Sequence, residues 1–187
     1  MLSLDSTGNW FDDARRVPSP NFDVRPSGCG IDLIVVHGIS LPPGEFGGPH
    51  IEQLFCNRLD PHAHACFRAV ASLKVSAHLL IRRGGELVQF VALSDRAWHA
   101  GQSRFGDRVR CNDFSIGIEL EGTDCTLYED AQYERLGDVC LALRQRWPAI
   151  GPDRIVGHSD IAPERKTDPG PAFDWRRLKD LLGAPRS

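Results

Sequence analysis

The stretch GHSDIAPERKTDPGP, residues 157–171, holds one histidine, three acids, two bases, three prolines and two glycines. No regular helix or strand has that composition, so it is a loop. Its chemistry-bearing side chains are His158, Lys166 and Asp168. A second histidine, His37, closes the apolar run IDLIVVHG (31–38), and His158 closes the shorter run RIVGH. Side chains at strand ends meet at one edge of a sheet, where sites form. Two neutral imidazoles and one carboxylate suit zinc, with a fourth position left for water. The same set also suits a two-histidine, one-carboxylate iron centre, and it fits a pair of capping histidines beside an N-cap-like aspartate. A Ser-His-Asp triad from Ser159, His158 and Asp160 is excluded, because sequence neighbours cannot point at one another as a triad requires.

Two further acids, Glu119 and Glu121, lie in FSIGIELEG (114–122). That run alternates, with Ile116, Ile118 and Leu120 on one side and Ser115, Gly117, Glu119 and Glu121 on the other. The acids are then either solvated on an open sheet face or, beside a metal, one of them is a general base. Residues two apart on one strand are about 7 Å apart, within the range of glycosidase pairs, but such acids flank a substrate instead of standing in a row.

These residues need a scaffold, and the rest of the chain supplies its elements. Residues 31–38 read as a buried strand. IEQLFCNRL (51–59) has helical spacing. VSAHLLIRRGGELVQFVAL reads as a hairpin turning on a two-residue Gly84-Gly85 turn. Residues 130–147 form an amphipathic helix, with Tyr133, Leu136, Val139, Cys140, Leu143 and Trp147 on one stripe and Pro148 as its stop. A final helix runs from about Asp174 to Leu182. The fold class is α/β (mixed α+β): one domain with a central mixed β-sheet flanked by helices. Residues 1–30, broken by three prolines, read as an arm packed on a domain spanning 31–183.

With 187 residues and a net charge of -3, the chain lacks the basic face of a nucleic-acid binder. It has no apolar run of membrane-spanning length. The N-terminus carries acids where a secretory signal needs bases, so the expected compartment is the cytoplasm. The six cysteines are scattered and read as reduced thiols.

Taken together, VVHGISLPPGEFGGP, the hairpin run, RAWHAGQS, CNDFSIGIELEGTD and GHSDIAPERKTDPGPAFDW resemble the AmpD family of type 2 zinc amidases, a branch of the peptidoglycan-recognition superfamily. The resemblance implies a zinc site at one edge of the sheet, with one Zn2+ per chain held by His37, His158 and Asp168. It implies Glu119 as catalytic acid/base and Lys166 as the cation at the carbonyl oxygen. Trp98 and His99 would line the substrate groove, with Arg110, Lys74 and Gly38 as further substrate contacts. Gly38 stands where the family usually has Asn, and Lys74 where it usually has Arg. The implied substrate is a small cytoplasmic muropeptide bearing 1,6-anhydro-N-acetylmuramic acid, cut before L-alanine in peptidoglycan recycling. Neither nucleic acid nor membrane is an expected partner, and the chain is expected to be a monomer. The rival reading is a non-catalytic peptidoglycan-fragment recognition module of the same fold.

Overall fold

The two runs with the strongest apolar patterning become the two longest strands, paired side by side. The structure is a computed structural model and describes residues 2–183. In chain order it contains β1 (Arg15–Arg16), β2 (Phe22–Asp23), β3 (Leu33–Ile39), α1 (His50–Phe55), α2 (Phe67–Val70), β4 (Leu79–Ile81) and β5 (Leu87–Gln89). Then follow β6 (Arg96–Ala97), β7 (Arg104–Phe105), β8 (Arg108–Val109), β9 (Ser115–Glu121), α3 (Asp130–Arg146), β10 (Ile155–Gly157), α4 (His158–Ile161) and α5 (Trp175–Gly183). One mixed sheet has the order β1-β5-β4-β9-β3-β10, and β2 with β6 and β7 with β8 form two small ribbons. Within the main sheet only β4 and β5 run antiparallel.

The alternation in β9 divides the molecule. Ile116, Ile118 and Leu120 join Ile34, Val36, Leu79 and Ile81 under α3, whose Leu136, Val139, Cys140 and Leu143 are fully buried in the same core. Each such side chain contributes about 1.5–3 kcal/mol by leaving water. α3 is tied to the sheet by Gln132, whose amide donates to the Ile81 carbonyl (3.3 Å) and the Glu121 carbonyl (3.1 Å). It ends at Arg146, where Trp147 before Pro148 takes an extended conformation (φ -127°, ψ 85°). The opposite face carries His37, Ser115, Gly117, Glu119 and Glu121. It is covered by two smaller cores, one around Phe67, Leu80 and Phe90, the other around Leu33, Val35 and Phe114.

Several local readings change. The strand expected to end at His37 runs two residues further, to Ile39. The helix expected over 51–59 ends at Phe55, because Asn57 turns left-handed (φ 57°). The hairpin does not turn on two glycines. Gly85 N–H bonds to the Arg82 carbonyl (2.9 Å), and only Gly85 has positive φ (82°). This is the longer loop in which a tight turn is followed by one left-handed residue. Residues 15–16 of the N-terminal segment pair with β5 inside the main sheet, and Phe11 is fully buried, so this segment supplies an edge strand and core.

Burial also overturns the solvated reading of the two glutamates, since Glu119 is 8% and Glu121 1% exposed. Glu121 is satisfied by Arg82 (3.0 Å) and by the backbone N–H groups of Gly47 (2.7 Å) and Arg83 (3.2 Å). Arg82 in turn binds Glu52 at 2.6 Å. Replacing Arg82 with Met should destabilise the protein by about 3–5 kcal/mol, because it leaves a buried carboxylate without its counter-charge. Urea unfolding at pH 7 checks this, and a loss below about 1 kcal/mol would show that the two N–H groups suffice.

Candidate metal centre

Parallel pairing sets the geometry of the site. In the β3–β9 register His37 lies beside Glu119, and Glu119 is also beside Leu80 of β4. Neighbours in register share a face, so His37 and Glu119 project to the same side. On the far side of β3, Gly157 of β10 pairs with Val36. The Asp160 carboxylate accepts the Gly157 N–H at 2.7 Å, which fixes the passage from β10 into α4 and thereby sets His158.

The proline-rich loop then folds back. Ser159 N–H donates to the Asp168 carbonyl (2.9 Å), and the buried Tyr128 hydroxyl donates to the Pro169 carbonyl (2.9 Å). Gly170 (φ 81°) packs so closely on Asp124 that a Cβ would overlap it. These contacts carry the Asp168 carboxylate to the two histidines. His37 Nδ1 and His158 Nδ1 are 2.9 Å apart, and Asp168 Oδ2 lies 3.2 Å from the first and 3.1 Å from the second. Zinc bonds of 2.0–2.2 Å in tetrahedral array separate ligand atoms by about 3.3–3.6 Å. The observed separations fall just short of that range, so a slight outward turn of the side chains would let two imidazole nitrogens and a carboxylate oxygen hold a small divalent cation. Among the described residues this is the one cluster of three or more His, Cys, Asp or Glu side chains with that geometry.

The three atoms open into a cavity of about 210 Å³. Glu119, Lys166, Trp98, His99 and the backbone of Gly38 also line it, while Leu54, Phe55, Leu73 and Val75 form an apolar wall. Lys74 is exposed between the lining residues Leu73 and Val75, and it does not itself line the cavity. Arg110 is exposed, left-handed (φ 63°) and paired with Asp113 at 3.4 Å, and it too lies outside the lining. A Cβ at Gly38 would overlap the Tyr128 hydroxyl, so the glycine makes room for the residue that props Pro169. The apolar wall escaped sequence reasoning because Leu54 and Phe55 belong to an ordinary amphipathic helix. Ser115, which bonds His99 (3.2 Å), was also missed, although the alternation had placed it on the face of Glu119.

Charges in the site are strongly shifted. Burial lowers the His37 pKa to about 4, outweighing the neighbouring Asp168, so the ring is neutral at pH 7. Burial alone would raise Asp168, but the hydrogen bonds with His158 and His37 override it and hold the carboxyl well below its usual range. Burial, reinforced by Asp168 and only partly offset by Lys166, raises Glu119 well above 4.5.

Residues 27–171 match the family described as N-acetylmuramoyl-L-alanine amidase. The chain belongs to that family. It is 60% identical over 173 residues to the 1,6-anhydro-N-acetylmuramyl-L-alanine amidase AmpD of Citrobacter freundii, covering 92% of each chain. A crystal structure of a selenomethionine AmpD derivative superposes on this amidase with a TM-score of 0.90 at 60% identity, covering 92% of this chain and 96% of that one. The Escherichia coli amidase AmiD, solved with the substrate anhydro-N-acetylmuramic acid-L-Ala-D-gamma-Glu-L-Lys, aligns with a TM-score of 0.62 at 26% identity over 84% of this chain and 60% of that one. No helix of the described residues is long and apolar enough to cross a membrane.

The Glu119 shift has a measurable sign. The folded carboxyl keeps its proton where the unfolded chain releases it, so metal-free protein loses stability as pH rises from about 4.5 toward the raised folded value. Glu119→Gln removes that loss. In the presence of chelator its urea midpoint should exceed the wild-type value at pH 7 and match it near pH 4. An equal offset at both pH values would show a packing effect instead of a charge effect.

Proposed function

We propose that this amidase hydrolyses the amide between the lactyl group of 1,6-anhydro-N-acetylmuramic acid and L-alanine in small soluble muropeptides, using one zinc ion held by His37, His158 and Asp168. The observation that carries the reading is the convergence of those three ligand atoms on the cavity that also presents Glu119 and Lys166. The family match and the similarity to AmpD support the substrate. Zinc in such a site supplies Lewis acidity, acidifying a water and polarising a carbonyl.

The chain's own groups do the rest. Glu119 takes a proton from the attacking water at its carboxylate and returns it to the departing amine of L-alanine. Its raised pKa suits both halves of that task, because a base too weakly basic would not take the proton and one too strongly basic would not give it back. The Lys166 ammonium meets the negative charge that grows on the lactyl carbonyl oxygen. Trp98 and the apolar wall exclude water and bind the fragment. Lys74, at the rim, and Arg110, farther out, are assigned to the stem peptide, where an ammonium gives a point charge in place of a bidentate contact. A recognition module of the same fold would need neither a buried acid beside the ligand set nor a cation facing it.

The resemblance to the AmpD family supports a cytoplasmic reaction in wall recycling, where it would limit the fragments that induce β-lactamase. We assign the working form as a monomer.

Mass spectrometry of an anhydromuramyl-tripeptide digest should show free tripeptide, and this should disappear with chelator and return with zinc. Metal analysis should give one zinc per chain; stoichiometric iron would reject the zinc assignment. Glu119→Ala should lower turnover by about 10²–10⁴-fold with zinc retained. Lys166→Ala should lower kcat by about 10²–10³-fold with KM nearly unchanged. A pure KM effect would make Lys166 a binding residue.

A further inference from the structure

Each proposed ligand histidine spends one ring nitrogen on the ion and has one left over. What holds the left-over nitrogen decides which tautomer the ring adopts and where it points. For His158 the partner is the Ala100 carbonyl, 3.3 Å from Nε2. For His37 it is another histidine: His37 Nε2 lies 2.9 Å from His99 Nδ1, with the rings edge to face at 89°. An imidazole beside an imidazole leaves the proton's position open, unless something beyond the second ring decides it.

Something beyond it does. His99 Nε2 lies 3.2 Å from the Ser115 hydroxyl, and that hydroxyl donates its single hydrogen to the Cys111 carbonyl at 2.6 Å. A carbonyl cannot donate, so the direction is fixed from this end. Ser115 Oγ has only lone pairs left for His99, so His99 Nε2 carries the hydrogen. The neutral ring then has a bare Nδ1, which accepts from His37 Nε2–H. His37 is left with a lone pair on Nδ1, the atom that faces His158 and Asp168.

The surroundings are built to hold this line. Asn112 Oδ1 accepts both the His99 N–H (3.2 Å) and the Ala100 N–H (2.8 Å), pinning the segment that serves both ligand histidines. On β9 the ring lies against Gly117, where any Cβ would overlap it. Ser115 is fully buried.

We infer that His99 is a positioning residue of the metal site, the middle link of a directed hydrogen-bond chain from the Cys111 carbonyl through Ser115 to His37. The inference rests on the metal reading of His37, His158 and Asp168. It reassigns His99, which the sequence suggests only as part of the groove wall, to the setting of a ligand's tautomer.

Zinc affinity, measured by competition with a chromophoric chelator, tests it without reference to turnover. His99→Leu should weaken zinc binding by about 10–100-fold. His99→Asn, whose side-chain oxygen can stand where Nδ1 stood and accept from His37, should recover most of that loss. Ser115→Ala, which removes one oxygen and little volume, should weaken binding as well, and it decides the matter if His99→Leu does not fold. In zinc-loaded wild type, long-range ¹⁵N–¹H spectra should place the side-chain hydrogens of His37 and His99 on Nε2. Unchanged zinc affinity in a folded His99→Leu or in Ser115→Ala overturns the inference, as does Asn performing no better than Leu, or a hydrogen on Nδ1 of His37. A raised KM with unaltered zinc affinity would return His99 to the groove wall. Failure of the wild type to bind zinc would remove the metal reading itself, and the chain of hydrogen bonds would lose its purpose with it.

Discussion

Three electron-rich atoms, His37 Nδ1, His158 Nδ1 and Asp168 Oδ2, stand 2.9–3.2 Å apart inside the protein. Both histidines are almost wholly buried. Lone pairs so close and so poorly solvated repel one another unless a cation or shared protons lie between them. The fold has to oppose that repulsion before any ion arrives. It does so with backbone and with short or rigid side chains: β3 carries His37, the Asp160 carboxylate on the Gly157 N–H sets His158, and the returning loop is held by the Ser159 N–H and the Tyr128 hydroxyl. Ordering energy is supplied at folding, so less would remain to be supplied on binding the proposed ion.

The sheet makes this possible by assigning its two faces different work. One face of β9 is Ile116, Ile118 and Leu120, packed under α3 into the largest core. The other presents Ser115, Gly117, Glu119 and Glu121. Period-two alternation means that a slip of one residue in the β3–β9 register would exchange the faces of every pair. Both faces are buried, so such a slip would bury glutamates in the large core and leave the site lined with isoleucine. Stability of the core and correctness of the site are thus the same constraint on register.

Much of this is legible in the amino-acid sequence alone. The alternation of 115–121 places Glu119 on the correct face because burial on both sides does not alter the period of a strand. Helix α3 is legible because seventeen residues give its stripe nearly five turns to declare itself. Shorter elements are harder. The helix expected over 51–59 stops at Phe55 since Asn57 takes a left-handed conformation that spacing cannot reveal. The N-terminal segment reads as an arm because Arg15–Arg16 is only two residues long and polar, yet it pairs in parallel with β5. The convergence of His37, His158 and Asp168 can be suggested from chain position, but only the resemblance singles it out. The closing contacts come from Tyr128, Asp124 and Gly170, residues with no chemical signature of their own. Lys74 and Arg110 show the converse, since a position that the resemblance assigns to substrate need not line the cavity.

The clearest lesson lies in two residues of one type on one strand face. Glu119 and Glu121 are both buried, and the strand alternation by itself offers no reason to prefer either as a base; only the resemblance singles out Glu119. Their neighbours separate them. Glu121 sits among a guanidinium and two backbone N–H donors, which occupy its oxygens. A carboxylate whose oxygens are so occupied is held as an anchor for the Gly47 loop. Among the described residues none hydrogen-bonds the Glu119 carboxylate, which faces the charges of Asp168 and Lys166 across the cavity. An acid that is buried, raised in pKa and left without hydrogen-bond partners costs stability as structure alone. It is tolerable where a proton has to be taken and returned, the role proposed for Glu119, and the register sets it beside His37.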